Sequence, residues 1–528
     1  VILCNIKISL MHRLLFFIAG LFINPTFAQI YDVTIYEKIG FEIGGFGDGL
    51  DNEDWFGYAV EGIGDLNGDG INDVAASAIK DDDGGFNHGA VYILFLNAEG
   101  SVASFQKISD TEGGFGGQLD EWDIFGTSIS YLGDLNNDGL IEIGVGAEYD
   151  GDGGYWHGAA WILTLNTDGT VNSYAKISDT EGGFDAPLDD EDVFGTDIES
   201  IGDLDGDGFK DIAVSARRDP DGGSDRGAVY ILFLNGDFSV KNYQKISDTQ
   251  GGLNGILEEG DYFGGSIANI GDINGDGIID LAVGAYRDDD GGLNRGAIYI
   301  LFMNTDGTVD SLQKISDISG NFDAEFNDEM FFGKSIDLMG DLNGDEMIEI
   351  VVGARGYQND GAFNFGAFYI LNLNNDGTVN SYVKYTEGLQ HFDGDIDEED
   401  SFGFSVSNIG KLTEKNCIAV GAFSDDEGGF EKGSVWILQL GEILSIEEIV
   451  PESNAIFLYP NPSRNSFSLN EIEGVSNIKI FDINGREIVS YDNVNTNLFD
   501  VSYLPVGEYI VRIAIEDKNS RSFKLVKQ

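Results

Sequence analysis

Five short segments of this 528-residue chain carry oxygen-bearing side chains at one fixed spacing. They are Asp65, Asn67 and Asp69 with Asp73; Asp134, Asn136 and Asp138 with Glu142; Asp203, Asp205 and Asp207 with Asp211; Asp272, Asn274 and Asp276 with Asp280; and Asp341, Asn343 and Asp345 with Glu349. The donors stand at positions 1, 3, 5 and 9 of each segment. So many crowded oxygens suit a hard cation, and calcium takes about six to eight of them at about 2.3–2.6 Å. Side chains 1, 3 and 5 converge when the backbone curls around the ion. The carbonyl at position 7 adds a ligand, and the carboxylate at 9 can bind with both oxygens. The sharp turn at position 6 favours glycine, which Gly70, Gly139, Gly208 and Gly277 supply and Glu346 does not. The expectation is four Ca2+ sites and a weaker fifth. A single such loop also reads as an ion-free Asx- and Gly-rich turn, but without metal its carboxylates repel one another.

The elements that position these loops repeat. Phe-Gly pairs begin at Phe56, Phe125, Phe194, Phe263, Phe332 and Phe402, every 69 residues and once 70. In the second unit, Thr127–Leu132, Ile141–Ala147, Gly158–Leu165 and Val171–Ile177 alternate as strands do, and Asp168-Gly169 marks a hairpin turn. Four antiparallel strands per unit is the content of a propeller blade, and one blade cannot bury both faces alone. The fold expected is therefore all-β: a six-bladed β-propeller of four-stranded antiparallel blades over residues 29–441. The sixth unit stops after its third strand, Gly433–Leu440, while Tyr31–Ile39 matches the fourth-strand pattern. Pairing the two closes the ring and removes two exposed edges. The sixth unit also loses its metal loop, where Lys411 is expected to stand in for the missing charge.

Nearly all of the net charge of −64 lies between residues 29 and 446. A compact body so charged repels itself, and 42% hydrophobic residues argue against disorder. Bound cations are the simplest remedy, and nucleic acid is excluded as a partner by repulsion. Residues 1–28 read as an upstream extension and a signal peptide, with Met11, His12 and Arg13 before the apolar run Leu14–Ile23. No segment reads as transmembrane. Removal of that peptide takes Cys4 with it and leaves Cys417 as a lone thiol.

The Phe-Gly start, the oxygen-lined hairpin and the Gly-Ala pairs at Gly146, Gly284, Gly353 and Gly421 resemble the FG-GAP repeat of integrin α-subunit propellers and their bacterial relatives. The resemblance covers residues 31–441 and implies calcium hairpins on one face and partner docking on the other. Six units and longer acidic loops depart from integrins, so ligand specificity does not carry over.

The opposite face holds Asp81-Asp82-Asp83, Asp219 and Asp221, Asp288-Asp289-Asp290, and Asp425-Asp426-Glu427, with Asp110, Glu112, Asp120, Glu121, Asp123, Phe115 and Trp122 between blades. It reads either as a docking surface for an unknown protein or glycan ligand, with aromatic rings stacking on sugars, or as loops that pack on one another and bind structural calcium. No unit assembles a catalytic constellation: His88 and His157 read as surface variation, there is no nucleophile elbow, and abundant carboxylates carry no glycosidase signal. No catalytic residue is assigned.

Residues 442–454 read as a linker. Residues 455–528, with Tyr459-Pro460-Asn461-Pro462, Asp482 to Arg486, Leu504-Pro505 and a basic tail, suggest a small β-sandwich. They resemble the type A C-terminal sorting domain of the Bacteroidetes type IX secretion system. That resemblance implies the secretion machinery as a partner and a secreted or outer-membrane surface location on a Gram-negative bacterium. The function expected is adhesion or molecular recognition. The alternatives are a surface enzyme or polysaccharide-handling protein using the channel, and a structural surface-coat component.

Overall fold

A computed structural model describes residues 31–442, save 48 and 359–363, and the strands and some turn residues of 458–527. The expected signal peptide and the linker beyond Glu442 lie outside the described residues. Every regular element among the described residues is a β-strand. The chain divides into two compact units, Val1–Ile443 and Leu444–Gln528.

The first unit contains six four-stranded antiparallel sheets. The third-strand segments, such as AVYILFL at Ala90–Leu96 and Ala228–Leu234, are buried at every residue. They pair on both edges and pack on both faces, which is why they read as continuous apolar runs. The fourth strands, such as Val102–Ile108, are buried only at their ends. First strands of neighbouring sheets touch one another in a cycle, and that of the first sheet, Phe56–Gly64, touches that of the sixth, Ser405–Leu412. The first strands therefore line a central channel. Tyr31–Ile39 is the outer strand of the sixth sheet and pairs antiparallel with Ser434–Glu442, Tyr31 opposite Glu442 and Ile39 opposite Val435.

The Phe-Gly pair explains the stacking. All six phenylalanines are 0% exposed, in apolar clusters that span two adjacent sheets. Phe194 donates its amide to the His157 carbonyl of the preceding sheet at 2.8 Å, and Phe56 does the same to Lys432 at 2.9 Å across the seam. Gly195 sits at φ 88°, and a Cβ there would lie 2.2 Å from the Ala159 carbonyl oxygen, so the contact requires glycine. In the second unit the first strand starts at Ile129 rather than Thr127. Gly126 and Thr127 both donate to Gly146 O instead, at 2.8 and 3.2 Å, which makes a bulge.

The second unit holds a three-stranded and a four-stranded sheet. Phe467 and Phe499 from one meet Ile478, Ile480, Val511 and Ile513 from the other in a single core, as in a β-sandwich.

Candidate metal centres

The five loops join the first and second strands of sheets one to five and share one hydrogen-bond pattern. In the first, Asp65 Oδ1 accepts from the amides of Gly68 and Asp69 at 2.8 and 3.0 Å, and Oδ2 from Gly70 at 2.8 Å. Asn67 Oδ1 accepts from the Asp69 amide at 2.8 Å, and Asp69 Oδ1 from Ile71 at 2.9 Å. The fifth loop keeps the pattern, with Glu346 donating to Asp341 Oδ2 at 3.0 Å. It does so with Glu346 at φ 69°, where the other loops hold glycine at φ 89–100°, a strained position for a residue with a Cβ.

Position 9 is the buried strut of each loop. Asp73, Glu142, Asp211 and Asp280 are 0% exposed and Glu349 is 3%. Asp73 Oδ2 accepts from Leu66 at 3.1 Å and Oδ1 from Leu96 at 3.2 Å, tying the loop to the end of the third strand. Asp211 and Asp280 do the same. The main chain thus engages both oxygens that sequence reasoning reserved for the ion. Burial pushes Asp73, Asp211 and Asp280 up to about 6.

Two observations test whether these residues fit a cation. Asp203, Asp205 and Asp211 each bring a carboxylate oxygen within 4.8 Å of the others. Glu142 Oε1 is buried with no hydrogen-bond partner in good geometry, the Thr164 hydroxyl of the facing strand only assisting the carboxylate, although Oε2 accepts from Leu135 at 2.8 Å. An orphaned buried carboxylate oxygen is costly unless something positive completes it, so the donor set fits a hard divalent ion. The third loop differs from the others. Its position 3 is Asp205, whose carboxylate has no amide hydrogens to offer Asp207, whereas Asn67 donates to Asp69 at 3.1 Å. Lys241, one strand away, supplies the missing positive charge by binding Asp205 at 2.6 Å and also Asp207.

In the sixth unit Ser405–Leu412 and Lys415–Ala422 close directly through Thr413 and Glu414, with Leu412 opposite Lys415. Lys411 is exposed and makes no ion pair among the described residues, so it does not replace an ion.

The acidic loops of the other face are partly neutralised from within, one lysine to two acids. Lys107 bridges Asp81 and Asp83, both at 2.7 Å. Lys176, Lys245, Lys314 and Lys38 repeat this on Asp150 and Asp152, Asp219 and Asp221, Asp288 and Asp290, and Asp425 and Glu427. In the fifth unit Tyr357 replaces the acid and accepts from Lys384 at 2.8 Å. The fourth-strand segments QKI, AKI, EKI and VKY carry these lysines, a signal the sequence reading did not use. A second buried acid precedes most Phe-Gly pairs. Burial above all pushes Asp123, Asp192, Asp261 and Asp400 up to about 7 and Asp54 up to about 6. His88 and His157 are buried, 6% and 7% exposed, not surface variation. Their Nδ1 atoms face Asp110 at 3.7 Å and Asp179 at 3.5 Å, where Arg226 and Arg295 pair with Asp248 and Asp317 in later units.

The channel does break the repeat. Glu61, Glu199 and Asp337 come from the first, third and fifth first-strands, where the intervening units hold Ser130, Ala268 and Ser407. Ser407 Oγ lies 2.9 Å from Glu61 Oε2 and 3.0 Å from Asp337 Oδ2. With Asp197 they wall a small polar cavity of about 60 Å³. Burial raises all four, and mutual repulsion adds to it for Glu61, Asp197 and Glu199. Three also accept main-chain amides of the next blade: Glu61 from Tyr131 at 3.0 Å, Asp197 from Ile267 at 2.6 Å and Asp337 from Asn408 at 2.7 Å.

Comparison with known proteins agrees with this geometry. Residues 195–232 and 257–302 match the FG-GAP repeat, and residues 457–528 match a secretion system C-terminal sorting domain. Integrin alpha-PS5 of Drosophila melanogaster is 32% identical over 31% of this chain and 15% of its own length. Integrin alpha-5 of Xenopus laevis is 30% identical over 46% of this chain and 21% of its own. Integrin alpha-11 of Homo sapiens is 34% identical over 31% and 12%. The chain thus spans about a fifth or less of the length of these relatives. A solved structure of a DUF4221 family member from Bacteroides vulgatus aligns over 78% of this chain and 98% of its own, at a TM-score of 0.37 and 9% identity, too remote to bear on function. Among the described residues no helix is long and apolar enough to cross a membrane. The chain therefore carries an integrin-α-like FG-GAP β-propeller followed by a type IX secretion sorting domain, which marks it for export to the cell surface or for secretion.

Proposed function

We propose that the chain is a calcium-loaded recognition module, used in adhesion or molecular recognition outside the cell. The observation that carries this is the set of five oxygen-lined hairpins in register, with the orphaned Glu142 Oε1 in the second and the converging Asp203, Asp205 and Asp211 in the third. The donors are Asp, Asn and Glu oxygens alone, which selects a hard ion over zinc or copper. Bound calcium supplies positive charge to hairpins that otherwise repel themselves, and so stiffens one face of a strongly anionic ring. The partner is a protein or glycan that docks on the opposite face. Glycan-array and protein pull-down binding, run with calcium and then with chelator, tests this. Calcium-dependent capture of a defined ligand supports recognition. Folding that chelator leaves unchanged refutes the metal role, and a folded, calcium-bound chain with no ligand favours a structural coat component.

A second reading, catalysis on a polysaccharide in the channel, is favoured by the four carboxylates that break the repeat there. Hydrogen bonds from Glu61, Asp197 and Asp337 to neighbouring blades give these three a structural use without any substrate, so binding remains the preferred reading. Turnover of a polysaccharide, lost in Glu199→Gln, would reverse that preference.

A further inference from the structure

The channel mouth on the side of the acidic loops is chemically unlike the rest of the propeller. Around it, the residue after the second-strand alanine is Ile79, Glu148, Arg217, Tyr286, Arg355 and Phe423, and the residue after the Phe-Gly pair is Tyr58, Thr127, Thr196, Gly265, Lys334 and Phe404. The framework residues of the blades repeat, and these do not. Lys334 Nζ lies 4.5 Å from the Phe404 ring centre, 5.6 Å from Tyr286 and 5.9 Å from Tyr58. The Arg355 guanidinium lies 4.2 Å from Phe331 and 5.7 Å from the same Phe404 ring. Arg287 lies 4.7 Å from Tyr262, which Arg217 shares at 5.2 Å.

Arg217 is paired with Glu148 at 2.9 Å. Among the described residues Lys334, Arg287 and Arg355 make no ion pair, and the Nε atoms of Arg287 and Arg355 are buried without a hydrogen-bond partner. In a protein of net charge −64, carboxylates abound, yet among the described residues these three cations have no ion-pair partner. The carboxylates whose charge acts on them are Asp197 and Glu148 for Lys334 and Glu329 for Arg355. Burial and then Arg217 hold the Lys334 ammonium down at about 8. Aromatic faces stabilise a cation only partly, and a half-buried guanidinium with an open donor is completed best by a planar anion.

We propose that this mouth binds a single carboxylate carried on a ring-shaped body, the carboxylate on Arg355, Lys334 and Arg287 and the body against Tyr58, Phe404 and Tyr286. The acids that act on these cations, Glu148 on Lys334 and Glu329 on Arg355, disfavour a polyanion at the same place. Two sources share this chemistry: a sugar acid and an aromatic acid. The inference rests on the recognition reading only in that the ligand is held and released unchanged.

The test is isothermal titration of the full, calcium-saturated chain with glucuronate, benzoate and inorganic sulfate. Saturable binding of glucuronate or benzoate is expected, weakened at least tenfold by Arg355→Gln and by Lys334→Met, and largely kept by Lys334→Arg. Glucuronate alone identifies a sugar acid, and benzoate alone an aromatic acid. If Arg355→Gln does not fold, judged by its melt, Arg287→Gln carries the same expectation. Absence of saturable binding, sulfate binding as tightly as the carboxylates, or binding unchanged in the variants overturns the proposal and leaves the cations as counter-charges to the carboxylates below. Calcium is saturating throughout, so failure here is separable from failure of the metal sites.

Discussion

Removing calcium should cost the propeller most of its stability. Each site whose ion binds only the folded state contributes about 2.7 kcal/mol when calcium stands at about 100 times its dissociation constant. Five hairpins then contribute about 13 kcal/mol, comparable to the whole net stability of about 5–15 kcal/mol of an ordinary domain. With about 410 propeller residues and an unfolding entropy of about 2.1 cal/mol/K per residue, that loss lowers the melting temperature by about 15 °C. The assay is calorimetric or near-UV circular-dichroism melting of the full chain in excess calcium and in excess chelator. Losing one hairpin should lower it by about 3 °C, so Asp134→Ala should melt lower in calcium and gain correspondingly less from it. Asp168→Ala, in an exposed hairpin turn without the donor set, should leave the calcium increment intact. A melt that chelator moves by less than about 2 °C would falsify the claim that these hairpins hold structural ions, because the orphaned and buried carboxylates would then be tolerated without them.

Lys241→Ala should tighten calcium at the third hairpin about fivefold, since an ammonium beside Asp205 opposes the ion by about 1 kcal/mol in a watery dielectric; site-resolved titration showing no change or weaker binding counts against that competition. Lys176→Met should lower stability by about 3–5 kcal/mol, because it strands the buried Asp150 carboxylate, and a Lys176→Met/Asp150→Asn double variant should recover most of it. With chelator present, stability should fall as pH rises from about 4 to 7. Burial lifts the folded-state values of Asp123, Asp192, Asp261 and Asp400 to about 7, above the unfolded value, so the folded state takes up protons and that contribution is lost on deprotonation. Melting curves that rise across this window, or that are unaltered by a fourfold Asp→Asn variant, contradict the assignment.

Much of the architecture was legible along the chain because it is local and repeated. Phe-Gly pairs at a near-constant spacing, alternating strands and oxygen donors at fixed offsets need no knowledge of distant contacts. The pairing of Tyr31–Ile39 with Ser434–Glu442 was legible too, since an unfinished last unit and a spare first strand complete one sheet. The lysine clamps were present in the fourth-strand segments, where they served only as part of a strand pattern. Nothing in a single segment says that Lys107 crosses from the fourth strand to Asp81 and Asp83 of the loop between the second and third. The burial of His88 and His157 was missed for the same reason, because each faces an acid some 22 residues on.

Composition and spacing by themselves determined an all-β repeat, its strand content and the donor set for a hard cation, because those follow from backbone periodicity and side-chain chemistry within one unit. Only the tertiary structure decided what meets at the axis. Glu61, Glu199 and Asp337 come from three separate units, and Arg287 joins Lys334 and Arg355 from the unit before theirs. The three acids become neighbours only when the first strands close into a ring, and the three cations only when two blades pack side by side, so the departures from the repeat acquire a meaning there that one unit alone does not give.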